Sequence, residues 1–163
     1  TISNLSFTDL DGKTFRLEDL RGRWVILNFW SAECPWAERV EADLKNLAKV
    51  YGCALLTVAA NANESDEQIK EATFQRGLFP VLMDRGQQAA DILGAETTPH
   101  IFLIGEEGVL RYQGAVDDLS FRQRTPTRSY LKDALEALKA GLDPDPADTP
   151  AYGCTIVRFH EGV

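Results

Sequence analysis

Cysteine is scarce in this chain, with three residues among 163. Small disulfide-stapled domains carry many more, so the composition excludes a fold that depends on a dense cysteine framework. An odd number also leaves at least one thiol without an internal partner. Each cysteine therefore has to be considered separately, as a redox group, a metal ligand or a core side chain.

Long hydrophobic runs and excess positive charge are missing as well. No apolar stretch approaches the roughly 20 residues that a membrane-spanning helix needs, so we expect no membrane span. The 17 basic residues are scattered and outnumbered by 25 acidic ones, for a net charge of −8. This charge disfavours a nucleic-acid partner or an anionic membrane surface. The chain starts at Thr1 without a basic or apolar leader, which leaves open a signal peptide that has been removed.

What is present is a regular alternation of strand and helix patterns. An N-terminal hairpin is predicted to turn at Asp11 and Gly12. Nearly continuous apolar runs after it predict buried strands. Apolar residues at spacings of three and four predict helices that begin after Cys34 and near Leu131, and a capping-box pattern at Ser65 predicts the start of another helix.

The order of these elements predicts an α/β fold with a mixed central β-sheet and helices on both faces. Hydrophobic residues make up 44% of the chain, which is enough to bury the core of one domain. We expect residues 1–142 to form this domain. Residues 143–163 carry three prolines in their first half and are expected to form an extended C-terminal tail that packs on the same domain.

Cys34 lies where a buried-strand pattern meets a helix whose first residue is Pro35. Unpaired backbone N–H groups and the helix dipole favour the thiolate there, the form that attacks disulfides and peroxides. The helix stabilises a thiolate by about 0.3–1 kcal/mol, whereas lowering the pKa of the thiol by two units needs about 2.7 kcal/mol. A nearby cation, such as Arg39 or an arginine of residues 122–128, would therefore help to stabilise the Cys34 thiolate. Position 37, where a Cys-x-x-Cys motif has its second cysteine, holds Ala37. A disulfide partner for Cys34 has to come from elsewhere.

Several segments resemble thioredoxin-like thiol-disulfide oxidoreductases. Residues 27–34 are similar to the segment that leads into the active-site cysteine of that superfamily, and residues 97–102 are similar to its cis-proline strand. Residues 5–22, 84–93 and 151–156 further resemble the redoxin or AhpC/TSA branch, and its peroxiredoxin-like members in particular. The resemblance covers nearly the whole chain and implies a thioredoxin-like fold.

The resemblance also implies roles for single residues. Cys34 is similar to the nucleophilic cysteine, and Cys154 resembles a cysteine near the C-terminus of peroxiredoxin-like members that would resolve the intermediate. Pro99 is similar to the cis-proline, beside which the backbone of Thr98 is exposed to an extended substrate. The expected catalytic residues are Cys34 and Cys154. The expected substrate-binding residues are Trp30, Ser31, Trp36, Thr98 and Pro99. Of the two tryptophans, Trp30 is expected to cover the thiol as a lid and Trp36 to anchor the core.

Some positions depart from the family pattern. Typical peroxiredoxins have a proline where this chain has Leu27 and a threonine where it has Ser31, so a peroxide-orienting hydroxyl survives while the loop proline does not. Dithiol reductases often have a glutamate six residues after the first cysteine, where this chain has Val40. The role of a buried proton acceptor is not transferred to the neighbouring Glu41.

Other interpretations apply to individual residues. Cys53 lies in a strand pattern and is expected to be a small core side chain. His100 follows Pro99 and is expected to be a packed residue, although Cys34, His100 and Cys154 together resemble the ligand set of thioredoxin-fold copper chaperones. For Cys154, a free surface thiol or a packing residue remain alternatives to the resolving role.

The expected function is a thiol-disulfide oxidoreductase of the redoxin type, which acts on a protein disulfide or a small hydroperoxide and uses an external thiol as reductant. We expect no bound cofactor and no metal, because thiols carry the chemistry. A catalytically silent thioredoxin-fold binding or scaffold module, as part of a longer protein, is the alternative from a different class. Since reductases of this superfamily are frequently exported, an extracytoplasmic location is favoured over a cytoplasmic one.

Overall fold

The computed structural model describes residues 5–78 and 80–158 of the chain. Nine strands lie within these ranges: β1 (Ser6–Asp9), β2 (Thr14–Arg16), β3 (Val25–Trp30), β4 (Ala54–Ala59), β5 (Val81–Met83), β6 (Thr97–Thr98), β7 (His100–Ile104), β8 (Leu110–Gly114) and β9 (Cys154–Thr155). Four α-helices accompany them: α1 (Pro35–Tyr51), α2 (Asp66–Arg76), α3 (Gln88–Leu93) and α4 (Tyr130–Lys139). A 3₁₀ helix at Leu17–Leu20 follows the N-terminal hairpin.

Seven of the strands form one mixed sheet in the order β2-β1-β5-β4-β3-β7-β8. Strands β3, β4 and β5 run parallel, because α1 and α2 provide the crossovers between them. The hairpin strands β1 and β2 are antiparallel, as the sequence predicts, and the pair β7 and β8 is antiparallel as well. The sheet therefore has the expected mixed topology, with β3 close to its centre.

Strand β3 is covered on both faces. Leu27 and Phe29 pack in a cluster that includes Ala90 of α3. Ile26 packs in a second cluster with side chains of α1 and α4, such as Leu44 and Leu135. All three strand residues have no exposed surface, which explains why the β3 segment is apolar except for the buried Asn28. This arrangement confirms the expected helices on both faces of the sheet.

The helix ends follow the local signals of the sequence. Pro35 is the first residue of α1, and the helix stops at Gly52, whose φ of 68° lies in the left-handed region that glycine adopts without strain. Ser65 and Gln68 form the predicted capping box at the start of α2. Within the described ranges no helix is long and apolar enough to cross a bilayer.

The tail runs extended over the domain after α4. The backbone of Thr149 donates to the carbonyl of Gln113 (3.0 Å), and Gly114 allows this approach because a Cβ there would collide with Thr149. Further along, Ile156 is buried and its N–H donates to the carbonyl of Glu96 (3.0 Å). Strand β9 pairs with β6 in a small separate sheet that the sequence pattern does not reveal. The last residues of the expected tail, 159–163, lie outside the described residues.

Candidate active site

Cys34 caps the N-terminus of α1. Strand β3 ends at Trp30, a short turn follows, and Cys34 has extended backbone angles while its carbonyl accepts the N–H of Glu38 (3.1 Å) in the first turn of the helix. Its side chain is 3% exposed. The strand-to-helix junction therefore holds a thiol at the positive end of a 17-residue helix, as the sequence predicts.

Cys154 comes from the opposite end of the chain and meets Cys34. The two sulfur atoms lie at disulfide distance, and the Cα atoms are 6.2 Å apart, within the range that disulfides adopt. Strand β9 brings Cys154 there by pairing with β6, so that Thr98 stands opposite Cys154. The structure thus unites the two expected catalytic residues across 120 positions of sequence.

Thr98 and Pro99 form the other wall of the site. The peptide bond between them is cis, as the family resemblance implies. The carbonyl oxygen of Thr98 lies 3.1 Å from Sγ of Cys34. The Thr98 hydroxyl is buried and has no hydrogen-bond partner among the described residues. Of the expected substrate-binding residues, Thr98 therefore lies at the sulfur of Cys34, and the cis bond to Pro99 follows it directly.

Trp30 is not a lid over the thiol. Its side chain is fully buried in a cluster that also contains Cys34, and its Nε1 donates to the carboxylate of Glu41 (3.2 Å). The guanidinium of Arg76 lies 5.4 Å from its ring centre. Because Trp30 is the last residue of the central strand, its side chain is enclosed between the sheet and the helices.

Trp36 is not a core anchor. It is half-buried, and its ring packs edge to face on Tyr152 of the tail, with 5.2 Å between the ring centres. The guanidinium of Arg124 lies 5.8 Å from the Trp36 ring centre. As the second residue of α1, Trp36 stands where the helix meets the tail rather than over the sheet. Trp36 therefore packs on the edge of the cluster that contains Cys34, whereas Trp30 is buried within it.

The turn before Cys34 is tied to the start of α2. Ser31 is buried and its hydroxyl donates to Glu64 Oε2 (2.9 Å), which also accepts the N–H of Glu33 (3.3 Å). The Glu33 carboxylate in turn accepts a hydrogen bond from the side-chain amide of Gln68 (2.8 Å). The hydroxyl of Ser31 therefore holds the turn in place.

Arg76 is a residue of the site region that sequence reasoning missed. Its guanidinium donates to the carbonyl of Ala32 (2.5 Å) and forms an ion pair with Glu41 (2.9 Å). Glu41 is buried and also accepts from Trp30, so one arginine joins the turn, the tryptophan and α1. The sequence carries no signal for this role, since a basic residue such as Arg76 is common in the last turn of a helix.

Two of the cations considered for Cys34, Arg39 and Arg124, have other partners. Arg39 forms an ion pair with Asp117 (2.6 Å), and Arg124 lies at the Trp36 ring with its Nη1 3.5 Å from the hydroxyl oxygen of Tyr152. Neither arginine donates to the sulfur of Cys34 in the part of the chain that the structure describes.

His100 and Cys53 stand apart from the site. His100 Nδ1 accepts the N–H of Glu96 (3.1 Å), its ring stacks on Phe102, and burial lowers its pKa. Among residues 5–78 and 80–158, no three His, Cys, Asp or Glu side chains converge to hold a metal ion, so His100 does not complete a copper site with the cysteines. Cys53 is a buried free thiol, as predicted, and burial raises its pKa to about 11.

Comparison with known proteins agrees with this geometry. The sequence model of the AhpC/TSA family matches residues 1–113. The thiol-disulfide oxidoreductase ResA of Halalkalibacterium halodurans is 34% identical over 110 residues, which are 64% of this chain and 61% of that protein. The chain thus spans about three fifths of the length of this curated relative.

Solved structures extend the likeness to the tail. The crystal structure of an uncharacterized conserved protein from Geobacillus kaustophilus has a TM-score of 0.86 at 25% identity and covers 99% of this chain and 92% of its own. An exposed lipoprotein thioredoxin from Streptococcus pneumoniae has a TM-score of 0.57 at 28% identity, covering 68% of this chain and 87% of its own. With more than half of its residues matched by the family model and a thioredoxin-like fold around Cys34, the chain belongs to the AhpC/TSA family.

Proposed function

We propose that this chain is a thiol-disulfide oxidoreductase in which Cys34 is the nucleophile and Cys154 is the resolving thiol. The observation that carries the proposal is the approach of the two sulfur atoms at the start of α1. The name of a relative that is 34% identical, thiol-disulfide oxidoreductase, supports it. Thr98, whose carbonyl oxygen lies 3.1 Å from Sγ of Cys34, and the neighbouring Pro99 are proposed to contact the substrate.

The chemistry is a two-step thiol-disulfide exchange. The Cys34 thiolate attacks one sulfur of a substrate disulfide; the substrate bond breaks, and its other sulfur leaves with the electron pair and takes up a proton. The Cys154 thiolate then attacks Sγ of Cys34, and the second substrate thiol leaves. The substrate has gained two electrons and two protons, and the protein holds a Cys34–Cys154 disulfide. An external thiol reductant restores the two protein thiols by the reverse exchange.

The position of Cys34 at the helix start supports its role as the attacking thiol. The helix dipole stabilises a negative charge there by about 0.3–1 kcal/mol, and by up to about 2 kcal/mol in a partly buried site. Cys53, in contrast, is held as a thiol because burial raises its pKa to about 11. The two cysteines therefore differ in reactivity for a physical reason, and Cys53 is no competitor for the substrate.

We favour a disulfide over a small hydroperoxide as the substrate. The hydroxyl of Ser31, which stands where peroxiredoxins have the peroxide-orienting threonine, donates to Glu64 (2.9 Å). A peroxide would have to displace this carboxylate to be bound by Ser31. A disulfide needs no such hydroxyl, because the main chain of Thr98 and the thiol are sufficient to bind and attack it.

We further propose an extracytoplasmic location, where disulfides form and persist. The similarity to an exposed lipoprotein thioredoxin supports it. In this proposal residues 1–142 are the redoxin domain, and the tail, residues 143–163, is part of the redox machinery because it carries Cys154.

Insulin reduction by dithiothreitol tests the proposed function. We expect the wild-type protein to accelerate it and Cys34→Ser to abolish the acceleration. Cys154→Ser is expected to accumulate a mixed disulfide with substrate, visible in the intact mass. Cys53→Ala is the matched control and should keep the wild-type rate, because this thiol is buried away from the pair. Acceleration by Cys34→Ser equal to that of the wild type would overturn the proposal and favour the binding module.

A further inference from the structure

Strand β6 is the strand with which the tail pairs. It consists of Thr97 and Thr98, and among the described strands it pairs only with β9. The register places Cys154 opposite Thr98. A segment that adds to a strand edge gains affinity from main-chain hydrogen bonds and specificity from the pockets that its side chains meet. The tail thus shows how an extended, cysteine-bearing chain binds beside Cys34.

A substrate cysteine that bonds to Cys34 is confined to nearly the same place as Cys154. Disulfides require the two Cα atoms to lie roughly 4.4–6.8 Å apart. Cys34 packs in a buried cluster with Trp30 and Ala37, and Cys154 is seated on the outer side of this cluster, so a partner sulfur approaches from the tail side. Cys154 satisfies the requirement at 6.2 Å while its strand pairs with β6. A substrate segment in this position therefore contacts the same residues as the tail, among them Thr98.

Gly153 makes the close approach possible. A Cβ at this position would collide with the carbonyl of Thr98 and would lie 3.0 Å from Cδ of Pro99. These atoms belong to backbone and ring in a buried segment, so they cannot move aside as a flexible side chain would. In this register the residue immediately before the bonded cysteine has to be glycine.

Tyr152 fills the next contact along the tail. Its ring packs edge to face on Trp36, and Nη1 of Arg124 lies 3.5 Å from its hydroxyl oxygen. Tyr152 also shares a small hollow with Pro99, Val116 and Leu119. An aromatic side chain two positions before the bonded cysteine is thus received by an aromatic and apolar surface.

We propose that the groove formed by Trp36, Thr98 and Pro99 selects an extended, disulfide-bonded substrate segment with an aromatic residue two positions before its cysteine and glycine immediately before it. Residues 152–154 of the tail are an internal copy of this segment. The inference rests on the proposed function, because Cys34 has to react with disulfides. Substrate and tail cannot pair with β6 together, so the substrate segment has to leave β6 while its sulfur is still bonded to Cys34. The Cys154 thiolate then attacks Sγ of Cys34 from the side opposite the substrate sulfur, which leaves as a thiol, and the tail is seated as the disulfide forms.

The test measures how fast Cys34 attacks peptides that copy the tail. The protein is the full chain with Cys154→Ser, reduced before use, so that only the first exchange occurs. The probe is the peptide Pro-Ala-Tyr-Gly-Cys-Thr-Ile, whose cysteine is a mixed disulfide with thionitrobenzoate. The Cys34 thiolate bonds to the peptide sulfur, the bond to thionitrobenzoate breaks, and the coloured thionitrobenzoate leaves with the electron pair.

Two altered peptides separate sequence selection from plain thiol reactivity. One has alanine in place of glycine, and the other has alanine in place of tyrosine. We expect the second-order rate constant to fall at least about tenfold for the first and about threefold or more for the second, equivalent to lost contacts of ordinary size. Cysteine that carries thionitrobenzoate without a peptide serves as the reference for intrinsic reactivity.

A second comparison tests whether the tail and the peptide share the groove. Gly153→Ala, added to Cys154→Ser, is expected to unseat the tail and raise the rate with the unaltered peptide. Gly86→Ala in the same background is the matched control, because a Cβ there meets nothing within 4 Å and its φ lies outside the left-handed region. The control should leave the rate unchanged.

The outcomes distinguish the inference from the proposed function. If Cys34 reacts with none of the probes, including the free thionitrobenzoate cysteine, the proposed function fails. If it reacts with all three peptides at one rate, the function stands and the selection of an aromatic-glycine-cysteine segment is overturned. If Gly153→Ala leaves the rate with the unaltered peptide unchanged, the shared groove is overturned.

Discussion

The two halves of the site are held in different ways. The fixed half comprises residues 30–41 with Glu64 and Arg76, whose side chains bind the turn before the thiol. The tail half comprises residues 148–158, which are held by backbone pairing, by the buried side chains of Thr149 and Ile156 and by surface contacts such as the ion pair of Arg158 with Asp91. We predict from this difference that Cys34 keeps its position in both redox states, whereas the segment around Cys154 opens locally when the cross-link is reduced.

The largest effect is expected from removing the cross-link that joins the halves. Under oxidising conditions Cys154→Ser should lower the free energy of unfolding by on the order of 5 kcal/mol, because a bridge across 120 residues restricts the unfolded chain strongly. Urea denaturation measures this difference. With dithiothreitol present, the variant and the wild type should agree to within about 1 kcal/mol. Equal stability of oxidised and reduced wild type would contradict the pairing of the cysteines.

A smaller but clear loss is expected from breaking the fixed half. Arg76→Ala leaves the buried Glu41 carboxylate without its ion pair and should cost about 3 kcal/mol of unfolding free energy. The control is Arg85→Ala, whose ion pair with Asp66 is exposed on both sides and should cost less than about 1 kcal/mol. Urea denaturation measures the free energy of unfolding of both variants. Similar losses for the two variants would contradict the prediction that the ion pair of Arg76 with the buried Glu41 stabilises the fold more than an exposed ion pair.

The effect of a substitution in the tail half should depend on whether the Cys34–Cys154 disulfide is present. Ile156→Ala removes a buried side chain and should cost about 2 kcal/mol in the oxidised protein. In the reduced protein the tail can detach locally, so the variant should mainly be cut faster by protease within the tail. Val157→Ala, at a partly exposed neighbour, is the control and should change neither quantity. A cleavage rate that does not depend on reduction would contradict the releasable tail.

The smallest expected effect concerns His100, at the start of the strand that follows Pro99. Burial lowers its pKa below the ordinary value of about 6.5, although Glu96 and Asp148 oppose this. The folded protein therefore favours the neutral ring, and its contribution to stability is present above the ordinary pKa and lost as pH falls below it. We expect His100→Gln to flatten this acid-side loss in urea midpoints measured against pH. Parallel profiles for the two proteins would show that His100 titrates alike folded and unfolded.

The fold was predictable because its signals are local. The apolar run of β3, the capping box at Ser65 and the glycine that ends α1 each specify structure within a few residues. The site was predictable where it follows from the same signals, as for the thiol before Pro35. The prediction for the two tryptophans was wrong, because burial depends on which elements cover a side chain, and sequence spacing does not report that.

By itself the sequence determined the order of strands and helices and the place of a thiol at a helix start. It did so because turn residues, helix caps and hydrophobic period act over short distances. For Cys154 the family resemblance suggested the resolving role, and the tertiary structure decided between that role and its alternatives. Only the tertiary structure decided that Arg76 holds the turn before Cys34 and that Gly153 lets the tail approach Thr98. These contacts join residues far apart in the chain, and they form only where the packed core brings the surfaces together.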